Sequence, residues 1–179
     1  MPISLVSTSV KPISVHCIRM GAIRLCVAMI LGLLLVPAYI VAPILFAQAD
    51  SSAQAGMLAG HIFHMANIGV LFLAAAVASF WVRSCTVGYL NWALLLLTVL
   101  LVSVNEFAVS PLMQALKDSA GAIDLLDKDD PQRVSFGIYH GISAVFHLLA
   151  SLMSALLVAF GGVLGGASCA GDKDKTHGA

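Results

Sequence analysis

The chain has 179 residues, of which 60% are hydrophobic and only 10% charged, and its nine basic residues balance nine acidic ones. A soluble domain carries about 25% charged residues, and one of this size has too small an interior to hide so much apolar surface, so the composition suits lipid as solvent. With zero net charge and no basic patch interleaved with aromatics, nucleic acid is excluded as a partner.

Residues 1–24 read as a cytoplasmic N-terminal tail, of which 1–19 are polar-mixed and unpatterned and Met20-Gly21-Ala22-Ile23-Arg24 would itself make a sensible start. Four apolar stretches follow, each long enough for the roughly 20 residues that carry a helix across about 30 Å of hydrocarbon. They cover 25–47, 58–82, 89–109 and 136–164, and 167–179 forms a C-terminal tail. Leu94-Leu95-Leu96-Leu97 and Ala74-Ala75-Ala76 run without alternation, which excludes barrel strands. The predicted fold is all-α: an integral membrane four-helix bundle spanning 25–166. Ala47-Gln48-Ala49 has the form of a signal-peptidase site, but the run before it is long for a signal sequence and carries Pro37 and Pro43. The first span is therefore read as retained. Ser110-Pro111 marks the end of the third helix, and residues 112–126 suit a short amphipathic helix on the outer surface. The acidic 124–130 segment lacks the spacing and glycine of a calcium loop and reads as a solvated connector.

Orientation follows from the basic residues. Lys11, Arg19, Arg24, Arg83, Lys173 and Lys175 fall on one side, and Lys117, Lys128 and Arg133 on the other. Both termini are thus placed in the cytoplasm, in an inner membrane if the cell is Gram-negative. Trp81, Tyr89 and Trp92 cluster where an aromatic belt would meet that face. Cys17, Cys26, Cys85 and Cys169 all map to the reducing side, so no disulfide is expected.

The halves of the chain resemble each other. Val41-Ala42-Pro43-Ile44-Leu45 closes the first span and Val109-Ser110-Pro111-Leu112-Met113 the third, while Gly56 to Gly60 and Gly137 to Gly141 open the second and fourth. Two repeated transmembrane hairpins would give this pattern. The glycine pairs are expected to allow close helix packing within the chain.

Polar residues gather at one end once the spans are oriented. His61, His64 and Asn67 lie in the outer part of the second helix, Asn105 and Glu106 close the third, and His140, Ser143 and His147 occupy the outer half of the fourth. His140 and His147 share a helix face, and Ser143, Ser151 and Ser154 continue a polar seam that lipid tails cannot satisfy. Four readings compete. His61, His64 and a histidine of the fourth helix could hold copper or zinc. Haem b could sit between His64 and His147. The histidines and Glu106 could form a proton or solute path, since histidine changes charge near neutral pH. In the last reading they hydrogen-bond neighbouring helices or snorkel to the headgroups, with Glu106 an interfacial carboxylate. No nucleophile motif, phosphate loop or dinucleotide fingerprint occurs, so a covalent reaction is not expected.

Pro43-Ile44-Leu45-Phe46, Ala55-Gly56, Gly60-x-x-Phe63, Asn105 with Pro111, and Phe136-x-x-x-His140-x-x-Ser143 resemble the bacterial domain of unknown function 4149 family, which is related to eukaryotic transmembrane protein 205. The resemblance runs from about residue 25 to 166 and implies a four-helix membrane bundle with no established reaction. It singles out Pro43, Gly56, Gly60, Asn105, Pro111 and His140; His61, His64 and His147 have no place in that pattern. The topology and histidine content are also similar to those of four-helix copper-resistance proteins and membrane-bound, haem-containing protoporphyrinogen oxidases, by analogy alone. The sequence therefore predicts a multi-pass membrane protein that handles an unknown small solute or ion, or supports a membrane process. A haem- or copper-binding redox protein is the alternative.

Overall fold

The structure is a computed structural model that describes residues 15–83, 87–121 and 123–163. Cys85, Cys169 and the C-terminal tail lie outside the described residues, as does most of the N-terminal tail. Among the described residues there is no strand. Four helices are long and apolar enough to cross a membrane: Ile18–Gln48, Ser52–Val82, Tyr89–Ala120 and Pro131–Phe160. The spans read from hydropathy are all there, but the polar ends of the helices extend beyond them.

The first span consists of α1 (Val15–Val36), a π-turn (Pro37–Val41) and α2 (Ala42–Gln48). The second is the unbroken α3 (Ser52–Val82). The third repeats the first: α4 (Tyr89–Val104), a π-turn (Asn105–Val109) and α5 (Ser110–Ala120). The fourth is α6 (Pro131–Val163). Each π-turn ends two residues before a proline, Pro43 or Pro111. In both, the backbone N–H just before the proline reaches back five residues, from Ala42 to the Pro37 carbonyl and from Ser110 to the Asn105 carbonyl. A proline ring clashes with the carbonyl four residues earlier, and widening the turn by one residue lets the helix pass.

Two sequence expectations are corrected here. Pro111 does not end the third helix, which continues to Ala120 and stops at Gly121, whose φ of +69° suits a residue without a side chain. The amphipathic segment at 112–126 is therefore no separate surface helix: its first part belongs to the third span, and only the short 3-10 turn Ile123–Leu125 follows. Capping explains the longer starts of the other helices. Ser51 accepts from Gln54 N at 3.2 Å before α3, and Asp130 accepts from Gln132 N at 2.8 Å ahead of Pro131. One carboxylate of the acidic connector thus starts α6.

Short connections force neighbouring helices to run antiparallel. α1 packs on α3 and α4 on α6, and the hairpins join through α1–α6 and α3–α4 contacts, so the order around the bundle is α1, α3, α4, α6. The core is a stripe from each helix: Ile23, Val27, Ile30 and Leu34; Val70, Ala74, Val77 and Trp81; Leu94, Leu95 and Val102; Ala150 and Leu157. On α1 and α3 spacings of three and four keep the stripe on one face, and on α6 Ala150 and Leu157 are two turns apart. Leucine, methionine and phenylalanine side chains such as Phe72 and Leu100 point outward, as lipid-facing surface should.

Trp81 departs from the expected belt. It is buried and meets Trp92 edge to face at 5.3 Å, closing one end of the core, whereas Tyr89 is exposed. The glycine pairs also differ from expectation. A side chain added at Gly56, Gly60, Gly137 or Gly141 would meet open space, so these glycines do not mediate packing within the chain. Gly69 does: a Cβ there would come within 3.1 Å of Leu33 Cδ1. Cys26 is half-buried and free.

Candidate functional site

The site begins with the second π-turn. Asn105 and Glu106, adjacent in that turn, are both buried, and so is Val109. Glu106 is only 6% exposed, midway along the third span rather than at its end. An isolated carboxylate there would be costly in hydrocarbon and needs partners.

α3 supplies them. His64 and Asn67 are three residues apart and so lie on adjoining turns of one face. His64 Nδ1 contacts Glu106 Oε1, and Asn67 Nδ2 donates to Glu106 Oε2 at 2.8 Å. Both carboxylate oxygens are engaged. Asn67 is buried with the carboxylate, while the His64 side chain stays 57% exposed. The pair therefore links the surface of the bundle to its interior. An imidazole nitrogen against a carboxylate oxygen is an arrangement between which a proton can pass.

The other histidines point elsewhere. His147 is buried on α6 and its Nε2 donates to the Leu34 carbonyl of α1 at 2.6 Å, in the turn before Pro37. Phe63 meets the His147 ring edge to face at 5.2 Å. His61 lines a shallow apolar groove of about 390 Å3 between α1 and α3, with Leu33, Pro37, Ile62, Met65 and Ala66. His140 is exposed and stacks on Phe136 at 6.2 Å; Lys117 Nζ lies 5.6 Å from the same Phe136 ring. Ser143 is half-buried on the same helix.

Of the eight residues expected to converge, the structure joins His64, Asn67 and Glu106, with Asn105 beside them in the π-turn. It leaves His61, His140, Ser143 and His147 apart from that contact. Among the described residues, no three histidine, cysteine, aspartate or glutamate side chains are grouped to hold a metal ion. His64 and His147, the suggested haem ligands, have partners on different spans, Glu106 in the π-turn of the third and Leu34 on α1 of the first. The reading of Glu106 as an interfacial carboxylate is corrected by its burial.

Two buried polar residues, Asn91 and Thr98, went unread in the sequence. Their signal is spacing: Asn91, Thr98 and Asn105 stand seven apart on an otherwise leucine-rich helix.

A family described as Domain of unknown function (DUF4149) matches residues 25–122. The chain belongs to that family. The DUF4149 match holds both π-turns, both prolines and the whole Glu106–His64–Asn67 contact. α6 lies beyond it, so Phe136, His140, Ser143 and His147 fall outside the matched part. No curated protein and no solved structure matches this DUF4149 chain.

Proposed function

We propose that this DUF4149 protein handles a small ion in a cell membrane, with Glu106 as the group that binds and releases it. One observation carries the reading: a carboxylate in the middle of a membrane-spanning helix, buried and held by His64 and Asn67. Ionisable residues at such depth are expensive, and they mark ion or proton sites more readily than packing sites. His64 stands at the edge of the bundle against the carboxylate, and Asn67 fixes the carboxylate. No covalent chemistry is needed. The membrane is the inner one in a Gram-negative cell. Both termini face the cytoplasm, a placement supported by the six of nine basic residues on that side.

Reconstitution tests the function. Proteoliposomes carrying the purified protein should show a flux of H+, Na+ or K+ under an imposed gradient, and Glu106→Gln should abolish it while leaving the helical circular dichroism unchanged. Wild-type vesicles no leakier than empty ones to all three ions, or a Glu106→Gln variant as active as wild type, would remove the reading. A reporter fused after Ser84 checks the orientation and should be active on the cytoplasmic side.

A further inference from the structure

Beyond Glu106, two neighbouring helices each carry a stripe of buried polar residues. On α4 and the π-turn that follows it, Asn91, Thr98 and Asn105 stand at intervals of about 10 Å, and all three are buried. On α6, His147, Ser151 and Ser154 share a face and are buried as well. α4 and α6 run antiparallel and form the largest helix–helix contact in the bundle.

The hydrogen bonds of this seam are incomplete. Thr98 Oγ1 donates to the Leu94 carbonyl and Ser151 Oγ to the His147 carbonyl, each within its own helix rather than across to the other. Besides Arg19 Nε on α1, three buried side-chain atoms have no partner among the described residues: Asn91 Oδ1, Asn105 Oδ1 and Ser154 Oγ. Ser154 is fully buried, and the two asparagines are 5% exposed. If the seam served packing alone, alanine or leucine would do better at each position, because a buried polar atom without a partner is costly. Sites of this kind are commonly completed by ordered water.

We infer that the α4–α6 seam is a hydrated path that carries protons between Glu106 and the Asn91 end of the bundle. The inference rests on the reading of Glu106 as an ion-handling group and names the ion. A metal cation needs several oxygen ligands at one point, whereas the seam offers single oxygens at separate depths, as a relay through water requires. The balance is simple. A proton reaches the Glu106 carboxylate through His64 and leaves to a water beside Asn105. Each later O–H bond that breaks is matched by one that forms on the next water, so one proton moves and nothing is oxidised or reduced.

Two measurements on the full chain in proteoliposomes test this. The first uses a background in which Cys17, Cys26, Cys85 and Cys169 are each changed to Ser, into which Asn91→Cys, Ser154→Cys or the lipid-facing Leu100→Cys is placed singly. Ag+ is added on both sides, and remaining free thiols are counted with a maleimide after denaturation. Thiols at 91 and 154 should be consumed and the thiol at 100 spared. The second measurement is proton flux, which Ser154→Leu should reduce to the level of empty vesicles. Ser154→Ala should lower it by less, and both proteins should stay monodisperse. Thiols at 91 and 154 as unreactive as that at 100, or wild-type flux in Ser154→Leu, would overturn the path. If Na+ or K+ flux still depends on Glu106 in that case, the ion-handling reading survives and only the proton route fails. A reactive seam with no proton flux overturns the path too, and the loss of every flux removes both.

Discussion

The two first-half helices of the hairpins, 15–48 and 89–120, use the same backbone device for different ends. Each widens into a π-turn two residues before a proline. In the first hairpin that turn reads Pro-Ala-Tyr-Ile-Val; only Pro37 is buried in it, and beside it lies an apolar groove. In the second the turn reads Asn-Glu-Phe-Ala-Val and carries Asn105 and Glu106 into the core. Counting back from Pro43 and Pro111, Ala38 stands where the other half has Glu106. The comparison separates two causes: proline sets the shape of the turn, and the residue inside it decides whether that shape holds a charge.

The sharpest way to break the comparison is to reverse that charge. Glu106→Lys sets an ammonium against the donor Asn67 Nδ2 and should destabilise by about 1–3 kcal/mol, the cost of leaving buried polar groups without their hydrogen bonds. Loss of monodisperse protein in mild detergent would register it, and a normal melting temperature would mean that the carboxylate is not enclosed. His147→Leu comes next. It removes the bond to the Leu34 carbonyl that ties the second hairpin to the first, and should cost about 0.5–1.5 kcal/mol, read as a lower thermal midpoint. The prolines test the turn itself. Pro111→Ala lets the third helix regain a regular turn, so ion flux should fall, whereas Pro43→Ala should leave flux near wild type. Equal effects of the two would deny that the second turn is special. The smallest expected change is a gain: Gly141→Ala should raise stability by roughly 0.5–1 kcal/mol, since alanine suits a helix better and meets no neighbour there. A drop in melting temperature would instead reveal a contact at that surface.

The fold was legible because hydropathy over some twenty residues is a strong signal and connections this short leave few ways to arrange four helices. The helix ends were less so. Gln54 and Gln132 are polar, yet both sit in helical first turns started by Ser51 and Asp130, which no hydropathy window registers. Pro111 misled for a physical reason: proline alone argues for a stop, and only the structure shows the wider turn that absorbs it. That single misplacement moved Glu106 from a helix centre to an interface. For the histidines, sequence gave depth but not direction around the helix. His64 and His147 do lie within their spans, but one faces the third span and the other the first. The seam on α6 was readable from Ser151 and Ser154. Its counterpart on α4 was hidden, because Asn91 and Thr98 are few among leucines and stand out only at an interval of seven.

The π-turns also make the chain sensitive to length in a way its composition conceals. Each holds one residue more than a regular turn would, so it acts as a phase shift of about 100° between the helix before it and the helix after. Deleting any one residue from Asn105–Val109 would remove no charge if Ala108 were chosen, yet it would turn α5 against everything on the Tyr89 side. Lys117 would swing away from Phe136. At this point in the molecule, the number of residues matters as much as their identity.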